Sequence, residues 1–265
     1  MKDIQSSADM RKIELAKAGI KNLQYPIIVL DKVNKVQHTT ATVDLFVNLP
    51  KEFKGTHMSR FVEVFDAHAK NISMKAYLQT LDSIRKRLNA ETAYGTVKFP
   101  YFIEKTAPIS KQKSVMSYRC EFDGMVGKDE KKFFVSVTVP VQTLCPCSKE
   151  ISEYGAHNQR AEVTVRLEIG SFFWIEDLLA LVESAASAPL YSLLKREDEK
   201  YITEHSYMNP KFVEDTARDV CLKLPELGNF PTCSIEVESF ESIHNHNAYA
   251  SVVGACIGGN FVQNE

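Results

Sequence analysis

The feature that most constrains the fold is a stretch in which apolar side chains recur at every second position. The apolar face of this stretch consists of Phe133, Val135, Val137, Val139 and Val141. Such alternation is typical of a β-strand with one buried face, and it favours antiparallel sheets over parallel ones. We therefore predict a strand here, a partner strand over residues 163–169, and an earlier strand of the same kind over residues 43–49.

Helical spacing of apolar residues separates the predicted strands. It occurs over residues 55–70, 73–90 and 174–187. A further helix is predicted to begin at Asn209 and Pro210, because asparagine is a favoured N-cap and proline suits the first helical position. With further strands near the end of each half, both halves have the order strand, strand, helix, helix, strand, strand.

This order predicts an α+β fold of two tandem modules. A charged turn over residues 127–132 is the predicted boundary. It gives an N-terminal module of residues 1–128 and a C-terminal module of residues 129–265, which is expected to carry most of the functional site. Each module is expected to hold an antiparallel β-sheet with helices packed on one face, since an amphipathic sheet must bury its apolar side.

Charge and apolar runs exclude several classes of function. The formal net charge is −2, whereas a general nucleic-acid binder normally carries a basic excess. No run approaches the roughly 20 apolar residues of a membrane helix, and we expect no signal segment at the N-terminus. We therefore expect a cytoplasmic protein with no nucleic-acid or membrane partner. Cys221, Cys233 and Cys256 lie in apolar runs and are predicted to be reduced core residues.

The stretch after the central strand contains the residues best suited to chemistry. Cys145 and Cys147 flank Pro146, and His157 precedes the next predicted strand. If the two strands form a hairpin, the loop between them brings Cys145 and His157 to one rim. Thiolate and imidazole suit zinc and related divalent ions. From the spacing alone, a metal site, a reactive thiol pair and simple packing all remain open.

Other polar residues allow two interpretations each. His244 and His246 either form a polar rim or complete a cysteine–histidine site. Glu199, in a charged segment, is either solvated or an oxygen ligand or proton shuttle. Glu214 borders an apolar helical stripe, where a carboxylate either complements the helix dipole or awaits a donor ligand. Basic residues around the predicted helix start at residues 54–60 indicate either an anion site or an ordinary capped helix.

Five segments, taken in order, resemble the motifs of one enzyme family. They are GTHMSRF (55–61), LCPCSKEISEYGAHNQR (144–160), KREDEKYITE (195–204), NPKFVEDTARDV (209–220) and SFESIHNHNAYA (239–250). The family is that of the type IB GTP cyclohydrolases, which depend on a metal ion. The resemblance extends from about Asn34 to Gly259.

The resemblance implies a fold, a reaction and a cofactor. The implied fold is the tunnelling fold, here as two tandem modules, in a homotetramer with active sites near subunit interfaces. The implied reaction is hydrolytic opening of the guanine imidazole ring of GTP at C8, which releases formate and forms 7,8-dihydroneopterin triphosphate. The formation of this product is the first step towards tetrahydrofolate and queuosine-type pterins. The implied cofactor is a divalent metal ion, either zinc or manganese, with iron as a further candidate.

The resemblance also assigns roles to residues. The implied metal ligands are Cys145, His157, Glu199 and His244. Of the catalytic pair Cys145 and His246, the first acts through the metal and the second carries protons. Glu214 is expected to bind the guanine edge through paired hydrogen bonds. The candidates for binding the triphosphate are Lys149, Arg160, His57 and Arg60.

Three other interpretations stay open on the sequence. The first is another purine- or pterin-converting enzyme of the same fold, which would not release formate from GTP. The second is a non-catalytic zinc-binding module, whose metal site would be closed to water. The third is a thiol redox protein that uses Cys145 and Cys147.

Overall fold

The computed structural model describes Gln5, residues 9–68 and residues 72–263. The elements before the charged turn are β1 (Leu15–Asp31), β2 (Lys35–Leu49), α1 (Met58–His68), α2 (Met74–Arg87), β3 (Ala93–Thr106) and β4 (Lys113–Val126). Those after it are β5 (Lys131–Leu144), α3 (Pro146–Ile151), β6 (Asn158–Glu168), α4 (Ile175–Ala185), β7 (Ala188–Pro189), α5 (Arg196–Met208), α6 (Val213–Lys223), a 3-10 turn (Leu224–Leu227), β8 (Phe230–Ser239), β9 (Ala248–Ile257) and β10 (Asn260–Gln263). The predicted order of elements is therefore confirmed in the first half.

The chain forms two compact units. Unit 1 comprises Met1–Pro100 and Glu121–Val135, and unit 2 comprises Tyr101–Cys120 and Ser136–Glu265. Strands β3, β4 and β5 contribute residues to both units, and the charged turn between β4 and β5 belongs to unit 1. The division into sequence modules at residue 128 stays a prediction.

In unit 1 the strands follow the order β1-β2-β3-β4-β5. The pairs β1–β2 and β2–β3 are antiparallel. On β2, Val43, Leu45 and Val47 are at most 1% exposed, which confirms the predicted alternation. The antiparallel sheet therefore follows directly from the two-residue period of the sequence.

Helix α2 packs closely against the sheet of unit 1. Its Tyr77 and Leu81 are buried over β3 and β4. A Cβ atom added at Gly95 would lie 2.5 Å from the Tyr77 hydroxyl oxygen, and one at Gly124 would lie 2.8 Å from Leu81 Cδ1. Glycine is required at both strand positions because any side chain there would push the helix away.

In unit 2 the strands follow the order β3-β4-β5-β6-β8-β9-β10, with β7 paired to β5. The pairs β6–β8 and β8–β9 are antiparallel, so the start of β6 lies beside the end of β8. Val163, Val165 and Leu167 are fully buried, which confirms the predicted partner strand, although β6 ends at Glu168. Helix α6 packs on β8 and β9, and α4 packs on α6.

Helix α5 was not among the sequence predictions. Its sequence, REDEKYITEHSYM, is dominated by charged and polar residues. Its buried positions are Asp198, Ile202 and Ser206, so only one of the three is apolar. Because no apolar stripe with helical spacing is present, the hydrophobic pattern carries no signal for this helix.

The predicted start of the next helix at Asn209 and Pro210 is wrong. Asn209 instead ends α5, and its side-chain amide donates to the carbonyl of Ala186 at 2.9 Å. Helix α6 begins at Val213, where the Asp215 carboxylate accepts from the N–H of Phe212 at 3.1 Å. The Asn-Pro pair therefore ends one helix, and the carboxylate of Asp215, three residues after the N-cap Phe212, caps the other.

Three smaller points complete the comparison of predicted and observed elements. The strand β10 follows β9, so three strands close the chain where two were predicted. The helix predicted over residues 55–70 begins at Met58, and its last two residues lie outside the described residues. In the described part of the chain, no helix is both long and apolar enough to cross a membrane.

Candidate functional site

Five of the predicted site residues line one cavity in unit 2. They are Cys145, His157, Glu214, His244 and His246. The cavity has a volume of about 430 Å³ and lies where β5 and β8 end and β6, β9 and α6 begin. The antiparallel pairing of β6 with β8 is what brings these chain ends to one edge of the sheet.

The loop between β5 and β6 is closed by hydrogen bonds at its base. The backbone N–H of Cys145 donates to the carbonyl of His157 at 3.1 Å. The Ser148 hydroxyl donates to the Cys145 carbonyl and accepts from the His157 N–H, each at 3.2 Å. Cys145 and His157 therefore project from one rim, as the hairpin prediction required.

Cys145 is also the N-cap of α3. Its Sγ atom accepts from the N–H of Ser148 at 3.4 Å, and Pro146 occupies the first turn of the helix. The thiol is half-buried beside the cavity, while Cys147 is exposed. Both cysteines thus differ from the remaining four, which are buried.

The buried cysteines form a chemically separate group. Cys233 and Cys256 are fully buried, with their Sγ atoms 4.0 Å apart, and Cys221 is 5% exposed. Burial raises the pKa of Cys221 to about 12, and burial likewise holds the pKa of Cys120 well above its usual range. Cys221, Cys233 and Cys256 are buried and free of disulfides, which confirms their prediction as core residues.

The ring of His157 is held by groups that the sequence analysis missed. Its Nδ1 atom lies 2.9 Å from Gln159 Oε1 and 3.9 Å from Glu241 Oε2. The Gln159 amide nitrogen donates to the hydroxyl of Thr143 at 3.2 Å and to Glu241 Oε1 at 3.4 Å. The sequence did contain a signal for Gln159. Residues two apart at the start of a strand lie on the same face, as His157 and Gln159 do.

His244 and His246 lie in the turn between β8 and β9. Their rings stack with centroids 5.1 Å apart, and both residues are exposed. Asn245 and Asn247, which flank His246, belong to the same turn. Both imidazoles border the cavity that Cys145 and His157 line.

Glu214 stands in the first turn of α6 at the mouth of the same cavity. The residue is exposed, and the role of capping the helix is taken by its neighbour Asp215. The carboxylate of Glu214 therefore has no part in that cap and borders the space beside His244 and His246. Glu214 thus lies both in the first turn of the helix and beside the cavity, so the helix-dipole and ligand-acceptor interpretations both stay open.

Glu199 lies outside this cavity, in the first turn of α5, where it is exposed. Its neighbour Asp198 is fully buried. Burial raises the pKa of the Asp198 carboxyl, but hydrogen bonds from Ser110, Lys195 and Ile109 outweigh burial and hold the pKa below its usual range. Among the described residues, no group of three or more His, Cys, Asp and Glu side chains is close enough to hold a metal ion.

The four residues predicted to bind triphosphate are not brought into the cavity. The Lys149 ammonium donates to the carbonyl of Tyr207 at 2.5 Å and lies 4.4 Å from the centre of its ring. Arg160 is exposed on β6. His57 and Arg60 belong to unit 1, where they line a separate cavity of about 150 Å³ at the start of α1. Their predicted role stays a prediction.

Comparison with known proteins identifies the family of this chain. A family model described as type I GTP cyclohydrolase folE2 matches residues 1–250. The chain belongs to this family. The GTP cyclohydrolase FolE2 of Syntrophus aciditrophicus is 54% identical, over 95% of this chain and 99% of the relative. That of Thermosipho africanus is 53% identical, over 95% of this chain and 97% of the relative.

A solved structure supports the fold of this family member. The crystal structure of uricase from Arthrobacter globiformis matches with a TM-score of 0.50 at 8% sequence identity. The match covers 94% of this chain and 93% of the uricase chain. At this identity the likeness shows a shared fold of helices and a large antiparallel sheet.

Proposed function

We propose that this chain is a type IB GTP cyclohydrolase. It opens the guanine imidazole ring of GTP at C8, hydrolyses the resulting formamide to release formate, and forms 7,8-dihydroneopterin triphosphate. The observation that carries the proposal is the single cavity lined by Cys145, His157, His244, His246 and Glu214. Family membership, with relatives named GTP cyclohydrolase at about half identity, supports the choice of substrate.

The donor types among the side chains that line the cavity suit a divalent metal ion. A thiol and imidazoles are the donors that zinc prefers, and Cys145, His157 and His244 offer them around one space. When bound, the ion supplies Lewis-acid activation of water at a pH near neutral. Zinc and manganese are the first candidates, with iron as a third.

Glu199 completes the proposed ligand set from outside the cavity. It is exposed at the start of α5 and does not line the cavity. A homotetramer with active sites near subunit interfaces accounts for such a position, because an exposed carboxylate is available to a second copy of the chain.

Glu214 is the proposed anchor of the guanine base. An ionised carboxylate accepts two hydrogen bonds at once, and guanine offers two adjacent donors at N1 and at its exocyclic amino group. Adenine lacks this pair of donors, so the same carboxylate selects guanine. His246 stands beside Glu214 at the cavity, where an imidazole is able to donate or accept a proton near neutral pH.

The proposal also covers the fold, the triphosphate contacts and the use of the product. The tunnelling fold with tandem modules of residues 1–128 and 129–265 is supported by the uricase likeness and by the order β1-β2-α1-α2-β3-β4. Lys149 and Arg160, near the cavity loop, and His57 and Arg60, in unit 1, are the proposed triphosphate contacts. The product would enter folate and queuosine-type synthesis in the cytoplasm.

The test uses metal-free protein and GTP, with zinc or manganese added in separate reactions. We expect formate release and the fluorescence of the oxidised pterin to appear together, and only with metal. Formate without a pterin would mean that the reaction ends after ring opening. Neither signal, with bound metal confirmed, would contradict the proposal and favour another purine or pterin substrate.

A matched pair of variants tests the guanine anchor. Glu214→Gln should raise the KM for GTP by about 10- to 100-fold, because an amide loses the charge-assisted pair of hydrogen bonds. Glu226→Gln removes an exposed carboxylate from the 3-10 turn that follows α6 and should leave KM unchanged. Equal kinetics in the two variants would exclude the anchor role.

A further inference from the structure

Three polar side chains form a series of hydrogen bonds behind the ring of His157. The hydroxyls of Ser239 and Thr143 lie 3.1 Å apart, and the Thr143 hydroxyl accepts from the Gln159 amide at 3.2 Å. The other end of that amide, Oε1, lies 2.9 Å from His157 Nδ1. Thr143 and Ser239 are 2% and 1% exposed, so this series of hydrogen bonds begins in the core of unit 2.

The neighbouring carboxylate sets the direction of these bonds. An ionised carboxylate only accepts hydrogen bonds. Glu241 Oε1 lies 3.4 Å from one end of the Gln159 amide, so that end must be the NH₂ group. The opposite end is therefore the carbonyl oxygen, which also accepts from the Ser242 hydroxyl at 3.5 Å.

This direction determines which nitrogen of His157 carries the proton. The Gln159 oxygen is an acceptor, so the facing Nδ1 atom must be a donor. Glu241 Oε2, at 3.9 Å from Nδ1, is too far for a hydrogen bond, but its negative charge also favours a proton on Nδ1. A neutral imidazole protonated at Nδ1 keeps the lone pair on Nε2, which is the form that binds a metal ion through Nε2.

We propose that Gln159 is a positioning residue that fixes the ring and tautomer of His157 so that Nε2 is presented to a divalent metal ion. The inference rests on the proposed function, since it takes His157 as a ligand. Partners of this kind orient ligating histidines, and their loss typically lowers metal affinity by about 10- to 100-fold. Glu241 acts one step further back, because it keeps the Gln159 amide from turning over.

The experiment measures zinc affinity of the full-length, metal-free protein by competition with a chelating dye. Gln159→Leu should weaken zinc binding by about 10- to 100-fold, because the leucine keeps the volume and removes the acceptor. The fold should survive, since the buried Thr143 hydroxyl keeps Ser239 as a partner. Glu241→Gln should cause a smaller loss of zinc affinity. An amide at this position both donates and accepts, so it no longer determines which end of the Gln159 amide faces it.

A matched control is available on β5. Gln142 donates to the side-chain oxygen of Asn158 at 2.9 Å. Asn158 has no proposed role as a metal ligand. Gln142→Leu makes the same chemical change and should leave zinc affinity within about twofold of the wild type. A similar loss in both variants would reduce the effect to general damage and overturn the inference.

Two further measurements separate this inference from the proposed function. If His157→Ala leaves zinc affinity unchanged, the ligand role and this inference both fail. If His157→Ala weakens binding but Gln159→Leu does not, this inference alone fails. Nitrogen-15 NMR of histidine-labelled metal-free protein should show His157 protonated at Nδ1 in the wild type and an altered tautomer balance in Gln159→Leu. Protonation at Nε2 in the wild type would contradict the assignment.

Discussion

Two regions of unit 2 hold side chains with proposed metal chemistry, and they do so in different ways. In the cavity, Cys145 and His157 project inward, and hydrogen bonds to the loop base and to Gln159 hold them in place. At the start of α5, Asp198 is fully buried, while its neighbour Glu199 is exposed. One part of the proposed site is thus organised within the cavity, and the remaining proposed ligand, Glu199, lies on a helix that is anchored elsewhere.

The anchor of α5 explains why an exposed glutamate can still be well placed. Asp198 accepts from the N–H groups of Ile109 and Ser110 at 2.8 and 2.9 Å. It also accepts from the Ser110 hydroxyl at 2.5 Å and from the Lys195 N–H at 2.9 Å. The turn between β3 and β4 is therefore bound to the first turn of α5. Glu199 is held through its backbone and keeps its carboxylate available.

Loss of Cys145 from the cavity should have the largest effect on metal binding and activity. Cys145→Ala should abolish tight zinc binding and lower kcat/KM by on the order of 10³-fold, since several kcal/mol of metal-assisted stabilisation is lost. Cys120→Ala removes a buried thiol from β4 and should lower Tm while one zinc ion per chain is retained. Metal analysis and steady-state kinetics check both variants. Full zinc occupancy in Cys145→Ala would contradict the cavity site.

The second prediction tests whether the exposed Glu199 is a ligand of the metal ion. Glu199→Gln should lower kcat/KM by about 100-fold with no change in Tm, as removal of a surface carboxylate costs little stability. Glu197→Gln, an equally exposed change in the same helical turn, should stay within about twofold of the wild type. Kinetics with saturating zinc measure both. Identical behaviour of the two variants would remove Glu199 from the ligand set.

The third effect concerns the anchor itself. Asp198→Asn replaces an acceptor oxygen with an NH₂ group that faces donors from Lys195 and Ser110. Buried donors left without an acceptor are among the costly outcomes of single substitutions, and Tm should fall by roughly 5–10 °C. Thermal unfolding followed by circular dichroism checks this result. A Tm equal to that of Glu197→Gln would show that the anchor contributes nothing.

The smallest effect distinguishes the two groups of cysteine without any mutation. A polar thiol reagent should modify Cys145 and Cys147 in the native protein, because the other four thiols are buried. All six should react after denaturation. Zinc should slow modification of Cys145 and leave Cys147 reactive. Peptide mapping by mass spectrometry identifies the sites, and rapid native labelling of Cys233 or Cys256 would be inconsistent with the packed core.

The sequence predicted the sheet better than the helices. Alternation over residues 43–49 and 133–141 predicted buried faces that the structure confirms, because a two-residue period has few other interpretations. Helix α5 escaped notice since its burial depends on Asp198, a charged residue whose partners come from a distant turn. The start of α6 was misplaced because Asn209 serves the preceding helix, which local sequence does not reveal.

The site could be predicted in part. The motif resemblance brought together the five residues that line the cavity, and the predicted hairpin correctly placed Cys145 beside His157. Gln159 and Glu241 were missed because their contact depends on the pairing of β6 with β8, which sets Ala161 opposite Ser239. Tertiary pairing of this kind is absent from any single motif.

We propose that the cavity of Cys145, His157 and His244 binds the catalytic metal ion together with Glu199. X-ray absorption at the zinc edge of the zinc-loaded full-length protein tests it most directly. We expect one sulfur at about 2.3 Å and otherwise nitrogen and oxygen ligands at about 2.0–2.1 Å. A spectrum without sulfur would exclude Cys145, and one with two sulfurs would mean that the ligand set is wrong.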